Sequence, residues 1–281
     1  MRCLLIVGLA LGTALLASAQ SALTYKSMVL SKGHVDFKLQ PDDKGEYAQF
    51  CPSGVCTCTS DIDYVQLVGA ESARPLALIN KQLKADVSQS GCKYLDAVDT
   101  AHETVSYISD HFVSVVEQFV SRGIDAGGSC HGSSVVHTFD LRTGKELFVG
   151  DLISTSGLSS LKAGLASSIV TEHLRQSERD FDKEVNTNSG KPRVPFVLPF
   201  EERERMFKLA SREVESYTDS KLQAEKFFIE DDRVFINAEG YYLSCADGPF
   251  HPAEIPTSLI SLPSLKREIS HGHPAAQRGR Q

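Results

Sequence analysis

Seven cysteines in a chain that opens with an export signal constrain its fold more than any other feature. Arg2 gives a short positive start, Leu4 to Leu16 is apolar apart from small residues, and Ala17-Ser18-Ala19 fits the small-residue cleavage rule. The apolar run is about 13 residues, against the roughly 20 that span a bilayer, so residues 1–19 read as a cleaved signal peptide and not as an anchor. Cys3 lies too early for lipid attachment and leaves with the signal. Cys51, Cys56, Cys58, Cys92, Cys130 and Cys245 remain. An even set of thiols in an exported chain reads as a disulfide framework, whose connectivity the spacing leaves open. Zinc is the competing use of thiols. Cys56-Thr57-Cys58 leaves one residue between the sulfurs where zinc sites use two to four, and no second tight Cys or His pair answers it. No metal and no cofactor is expected.

The mature part, about 260 residues, suffices for one large domain or two small ones. Its formal net charge moves from −7 to −8 when Arg2 is lost. That balance argues against nucleic acid, whose binders need a basic face. It suits a cationic partner, and it equally serves to keep an exported protein soluble.

Residues 20–61 read as a β-rich, cysteine-containing segment. "LTYKSMVL" and "HVDFKL" are strand-like, Pro41 to Gly45 is turn chemistry, and Cys51 to Cys58 reads as a stapled loop. "ARPLALINKQLKADV" carries Leu76, Ile79, Leu83 and Val87 at helical spacing, with Pro75 near its start. "HETVSYISDHFVSVVEQFV" fits both a helical and an alternating pattern; its density of Val, Ile, Tyr and Phe favours strands.

"SSVVHTFDL" and "ELFVGDLI" read as a strand pair around the turn Arg142-Thr143-Gly144-Lys145. On the first strand Val135, His137 and Phe139 share one face, and Val136, Thr138 and Asp140 the other. His131 and His137 lie on the same side but about 20 Å apart, so a straight strand cannot bring both to one metal ion. The stretch from Leu158 to Leu174 is helical in period. "PFEERERMFKLASREVESY" is an amphipathic helix whose acids crowd the first turn, and "FFIE" and "RVFIN" flank a turn at Asp231-Asp232. Residues 266–281 read as a polar, disordered tail, in which His271 and His273 carry no defined site.

Taken in order, these positions carry a resemblance: Gly127-Gly128 and His131, Phe139-Asp140, Thr143-Gly144, Asp151-Leu152, then Phe228-Ile229, Asp231-Asp232, Val234, Tyr241-Tyr242, Gly248 and Ile255-Pro256. Upstream, Ile79-Asn80 sits in a helix that follows an extended run. The set resembles the extracellular domain of unknown function found at the C-terminus of lysozyme-sensing anti-sigma factors (RsiV-like) and of some peptidoglycan deacetylases (PdaC-type). The resemblance covers residues 62–265 and implies an α+β domain, a mostly antiparallel sheet with helices packed on one face, here disulfide-stapled. It resolves the ambiguous segment into two strands. It also implies a Cys130–Cys245 bond that closes a loop of about 115 residues, worth roughly 4–5 kcal/mol in the chain-entropy model. Cys92 is then expected to join one of Cys51, Cys56 and Cys58, and the remaining two to pair locally. The chain departs from these relatives in lacking the sigma-binding segment, the spanning helix and the deacetylase Asp-His-His pattern.

No nucleophile-and-base or paired-carboxylate constellation emerges. Gly132-Ser133-Ser134 is not a nucleophile elbow, and Asp231-Asp232 belongs to a turn. His131, beside a glycine pair and a cysteine, is the one polar candidate for a binding role; a structural histidine is the competing reading. The expectation is an exported, periplasmic or secreted, non-catalytic binding protein of the bacterial cell envelope that recognises a lysozyme-type muramidase. The alternatives are a peptidoglycan- or glycan-binding accessory protein, which the absence of Trp disfavours, and an uncharacterised hydrolase. Neither nucleic acid nor a transmembrane anchor is expected.

Overall fold

The apolar run of Ala73–Val87 decides the first half of the architecture. In a computed structural model of the chain, which describes residues 23–38, 55–69, 73–87, 96–123, 130–186, 195–237 and 252–271, this segment is helix α1, and Leu76, Ile79, Leu83 and Val87 are all buried on one face. It follows strand β2 (Val55–Val68) and precedes β3 (Asp96–Ile108). A helix between two strands returns the chain for parallel pairing, and β2 and β3 are parallel from Thr59↔Val98 to Asp63↔His102. The remaining pairs are antiparallel: β1 (Thr24–Lys38) on β2, β3 on β4 (Phe112–Gly123), β4 on β5 (Cys130–Asp140), and β5 on the two-residue β6 (Lys145–Glu146). The sheet runs in the order β1-β2-β3-β4-β5-β6 and is mixed: the expected antiparallel pairing holds for all but β2–β3, and that parallel pair was not expected.

The second half forms a smaller antiparallel sheet, β7 (Phe227–Glu230), β8 (Arg233–Asn237) and β9 (Pro252–Ile255). Asp231 and Asp232 join β7 to β8 with φ of 47° and 58°. Both lie in the left-handed region required by a two-residue turn that matches strand twist, and Asp tolerates it better than most residues. "FFI" and "VFI" are continuous apolar runs because this sheet is buried on both faces. Phe228 and Phe235 stack at 5.1 Å and meet Val116 and Val136 of the large sheet. Phe227, Ile229, Val234 and Ile236 face the other way, into a core with Leu158, Leu161 and Leu165 of α3 (Thr155–Phe181) and Ala210 and Val214 of α4 (Phe200–Ser216).

The layers are therefore α1, large sheet, small sheet, helices, and not helices on one face. Side chains also fasten the two sheets together. The buried hydroxyls of Ser114 and Thr138 lie 2.6 Å apart; Thr138 donates to the Phe227 carbonyl at 2.8 Å, and the Ile229 N–H donates to Ser114 at 3.1 Å. They satisfy the edge of β7 that β8 leaves open.

Several local expectations change. The two N-terminal strand runs form one strand, with a register shift between Val29 and Ser31. Val55 to Cys58 belongs to β2 rather than to a loop, since pairing with β1 carries Cys56 opposite Phe37 and Cys58 opposite Val35. β2 crosses the boundary placed between residues 61 and 62, so the N-terminal segment and the rest share one sheet. "ELFVGDLI" is strand only at β6. Asp151 accepts the Phe148 N–H at 2.9 Å and closes the one-turn helix α2 (Val149–Leu152), a local bond that outcompetes β propensity. After α5 (Asp219–Ala224) and the small sheet, helix α6 (Pro263–His271) extends into the segment read as a tail, with Leu265 and Ile269 buried. Among the described residues no helix is long and apolar enough to cross a membrane. The signal segment lies outside the described residues.

The Thr143-Gly144 turn presses on α1. Gly144 has φ +72°, and a Cβ there would meet the Pro75 carbonyl oxygen at 2.9 Å. Gly144→Ala is expected to lower stability by roughly 1–2 kcal/mol from the left-handed backbone alone, with the contact adding to it; urea unfolding of the variant checks this.

Candidate functional site

Polar groups gather where α1 covers the large sheet. His137, on the β5 face expected from alternation, is fully buried and stacks on Phe139 at 5.9 Å. Its Nδ1 lies 2.7 Å from Glu146 Oε1, on β6. Lys226, just before β7, reaches Glu146 at 3.1 Å and the same imidazole nitrogen at 3.2 Å. Glu146 also accepts from the Gln82 amide of α1 at 2.5 Å. The shorter contact assigns the Nδ1 proton to Glu146, with Lys226 paired to the carboxylate rather than to the ring. Burial raises the Glu146 carboxyl, but the His137 hydrogen bond, the His137 charge and Lys226 together outweigh it and hold its pKa at about 2. The far nitrogen, Nε2, stands 3.5 Å from Asp86 Oδ2 of α1, and neither atom makes a hydrogen bond among the described residues.

Glu103 and Glu117 face each other across β3 and β4, both buried. Glu103 Oε2 accepts the Val65 N–H at 2.7 Å. This bond has a structural cause. The parallel ladder ends at Asp63↔His102, and beyond it the edge of β2 needs other partners. Glu103 supplies the one for Val65. The Asn80 amide supplies those for Leu67, accepting its N–H at 2.8 Å and donating to its carbonyl at 3.0 Å. Burial, and then the charges of Glu117, Asp86 and Asp63, raise Glu103 from 4.5 to about 8 against the lowering effect of the Val65 bond. At neutral pH this carboxyl is protonated. Among the described residues no three His, Cys, Asp or Glu side chains are grouped to hold a metal ion.

Chemically, the His137–Glu146 pair has the form of an oriented acid–base dyad, but both ring nitrogens face protein groups beneath α1. What the arrangement does is tie α1, β5, β6 and the entry to β7 together. A second charged cluster ties α3 to the small sheet: buried Glu172 accepts from Arg175 at 3.0 Å and Arg233 at 2.9 Å, and Arg233 also pairs with Glu254.

The cysteines and His131 are not brought into either cluster by anything described. Cys51, Cys92 and Cys245 lie outside the described residues, and Cys56, Cys58, Cys130 and His131 are described in their backbone alone, the last two opposite Arg122 and Ser121. The pairing of the thiols therefore stands as an expectation. Asp86, Glu103, Glu117 and Glu146 were not singled out from the sequence, although Glu103, between Ala101 and Val105, and Glu117, between Val115 and Phe119, are acids on otherwise apolar strand faces.

No protein-family model and no curated protein matches the sequence. Among solved structures, a DUF3298-family protein from Bacteroides fragilis superposes with a TM-score of 0.51 at 12% identity, covering 90% of this chain and 99% of that one. The fold is shared with DUF3298 proteins. A DUF3298-family protein from Pseudomonas aeruginosa gives a TM-score of 0.41 at 12% identity, with 88% and 97% coverage. DUF3298 denotes a domain of unknown function, so the likeness places the architecture and assigns no chemistry.

Proposed function

We propose that this chain is an exported, non-catalytic binding protein of the bacterial cell envelope whose partner is a lysozyme-type muramidase. The observation that carries the reading is an apolar surface at the start of α4, where Val197 and Phe200 are 74% and 78% exposed and Phe207, two turns on, is 47% exposed. Aromatic and aliphatic anchors left in water next to charged residues are what a docking surface presents. The oriented His137–Glu146 pair lies beneath α1, with His137 fully buried. The net charge of −7 favours encounter with a cationic enzyme. The motif resemblance to lysozyme-sensing domains supplies the class of partner.

Calorimetry of the oxidised full-length mature protein with a c-type lysozyme at physiological salt tests this. Saturable binding with loss of muramidase activity is expected. The double variant Val197→Ser/Phe200→Ser is expected to weaken binding by on the order of tenfold or more, with an unchanged melting temperature, because both side chains are already in solvent. Absence of binding overturns the reading. Retention on insoluble peptidoglycan in its place would favour a wall-binding accessory protein.

A further inference from the structure

We propose that α1 is held on the large sheet by a proton: the seat of the helix accepts Glu103 as a neutral acid, and ionisation of Glu103 loosens the helix and the β2 edge beneath it. This goes beyond the binding reading and is independent of it.

The geometry comes first. Glu103 is on β3, directly across from buried Glu117 on β4. Its Oε2 replaces a missing ladder partner for Val65, and its buried Oε1 makes no hydrogen bond among the described residues. Every element packed around it brings a carboxylate: Asp63 from β2, Glu117 from β4 and Asp86 from α1. Among the described residues the nearby bases face the surrounding acids rather than Glu103 itself: His102 pairs with Asp63 at 3.0 Å on the more open side, and the His137 ring, whose Nδ1 goes to Glu146, turns its Nε2 to Asp86 at 3.5 Å. Lys81 and Lys84, on α1 itself, are exposed. A charge on Glu103 would thus be desolvated among like charges, whereas a proton removes that cost and keeps the Val65 bond. The raised pKa of about 8 agrees with this arrangement.

The direction follows from linkage. In the closed form Glu103 keeps its proton to about pH 8; in an open form it ionises near 4.5. Between these values opening releases a proton, so closure is fully favoured below pH 4.5 and is lost progressively as pH rises to about 8, after which the dependence levels off. Within the window the open population grows by up to about tenfold per pH unit.

Amide hydrogen exchange of the full-length mature protein between pH 5 and 9 tests this. The quantities compared are protection factors for α1 and Val65, in which the intrinsic rate is divided out, with β7 and β8 as the reference for global unfolding. The wild type is expected to lose up to about tenfold in protection per pH unit up to about 8 and then to plateau. Glu103→Gln, which keeps an acceptor for Val65 and cannot ionise, is expected to lose that slope and to be better protected than the wild type at pH 8. Flat wild-type protection across the range, or the same slope in the Gln variant, overturns the proposal.

Discussion

Phe228→Ala is expected to destabilise the protein by about 3–5 kcal/mol, the range for truncating a buried phenylalanine where neighbours cannot fully collapse. Phe228 is enclosed between the two sheets, against Phe235, Val116 and Val136. Phe227 and Ile229 on either side of it face the helical core, and the backbone of both is held by Thr138 and Ser114. The strand cannot move to fill the gap without breaking those bonds, which places the expected loss towards the upper end. Urea denaturation gives the free energy. A loss under about 1 kcal/mol would mean that the sheets are not packed together through this residue.

The second large effect concerns His137. Replacement by phenylalanine preserves the bulk and the stack on Phe139 but removes the hydrogen bond to Glu146, and about 2–4 kcal/mol is expected to be lost at neutral pH. Lys226 and Gln82 still contact the carboxylate, which keeps the loss below that of a bare buried charge. The variant also changes the acid limb of the stability profile. Glu146 lies at about 2 in the folded protein against 4.5 when unperturbed. Its ionised form therefore stabilises the fold in full above pH 4.5, and that contribution, on the order of 3 kcal/mol, is lost as pH falls to about 2. Unfolding midpoints measured from pH 5 to pH 2 should fall steeply in the wild type and less steeply in His137→Phe. Parallel profiles would show that His137 does not hold the carboxylate down.

Local order was legible where one periodicity acted alone. Leu76, Ile79, Leu83 and Val87 marked α1 over its whole length, and Asp231-Asp232 between two apolar runs marked the β7–β8 turn. Alternation placed His137 and Phe139 together on one face of β5, where both lie under α1. The parallel pairing of β2 with β3 was not legible, because it depends on where α1 returns the chain and on no residue within either strand. The strand expected at Val149–Leu152 failed for a local reason, the Asp151 cap. The site was half visible. An acid between Ala101 and Val105, and another two residues after Val115, are anomalies on apolar faces. That Glu103 and Glu117 meet requires the register of β3 on β4, which no single segment encodes. The helices that carry Leu158, Leu165 and Val214 were expected, but their position beyond a second sheet was not.

The hydroxyl clasp between the sheets has a consequence for how the chain is made. Ser114 and Thr138 bond residues 115 and 89 positions further along the sequence. When the first six strands have been synthesised, the apolar face around Val116 and Val136 has nothing to cover it, and the hydroxyls have no strand to hold. Loop closure over such separations is slow, and an uncovered sheet face is prone to stick to other chains. A nascent chain halted before residues 227–237 is therefore expected to be a sticky intermediate, not a smaller working domain.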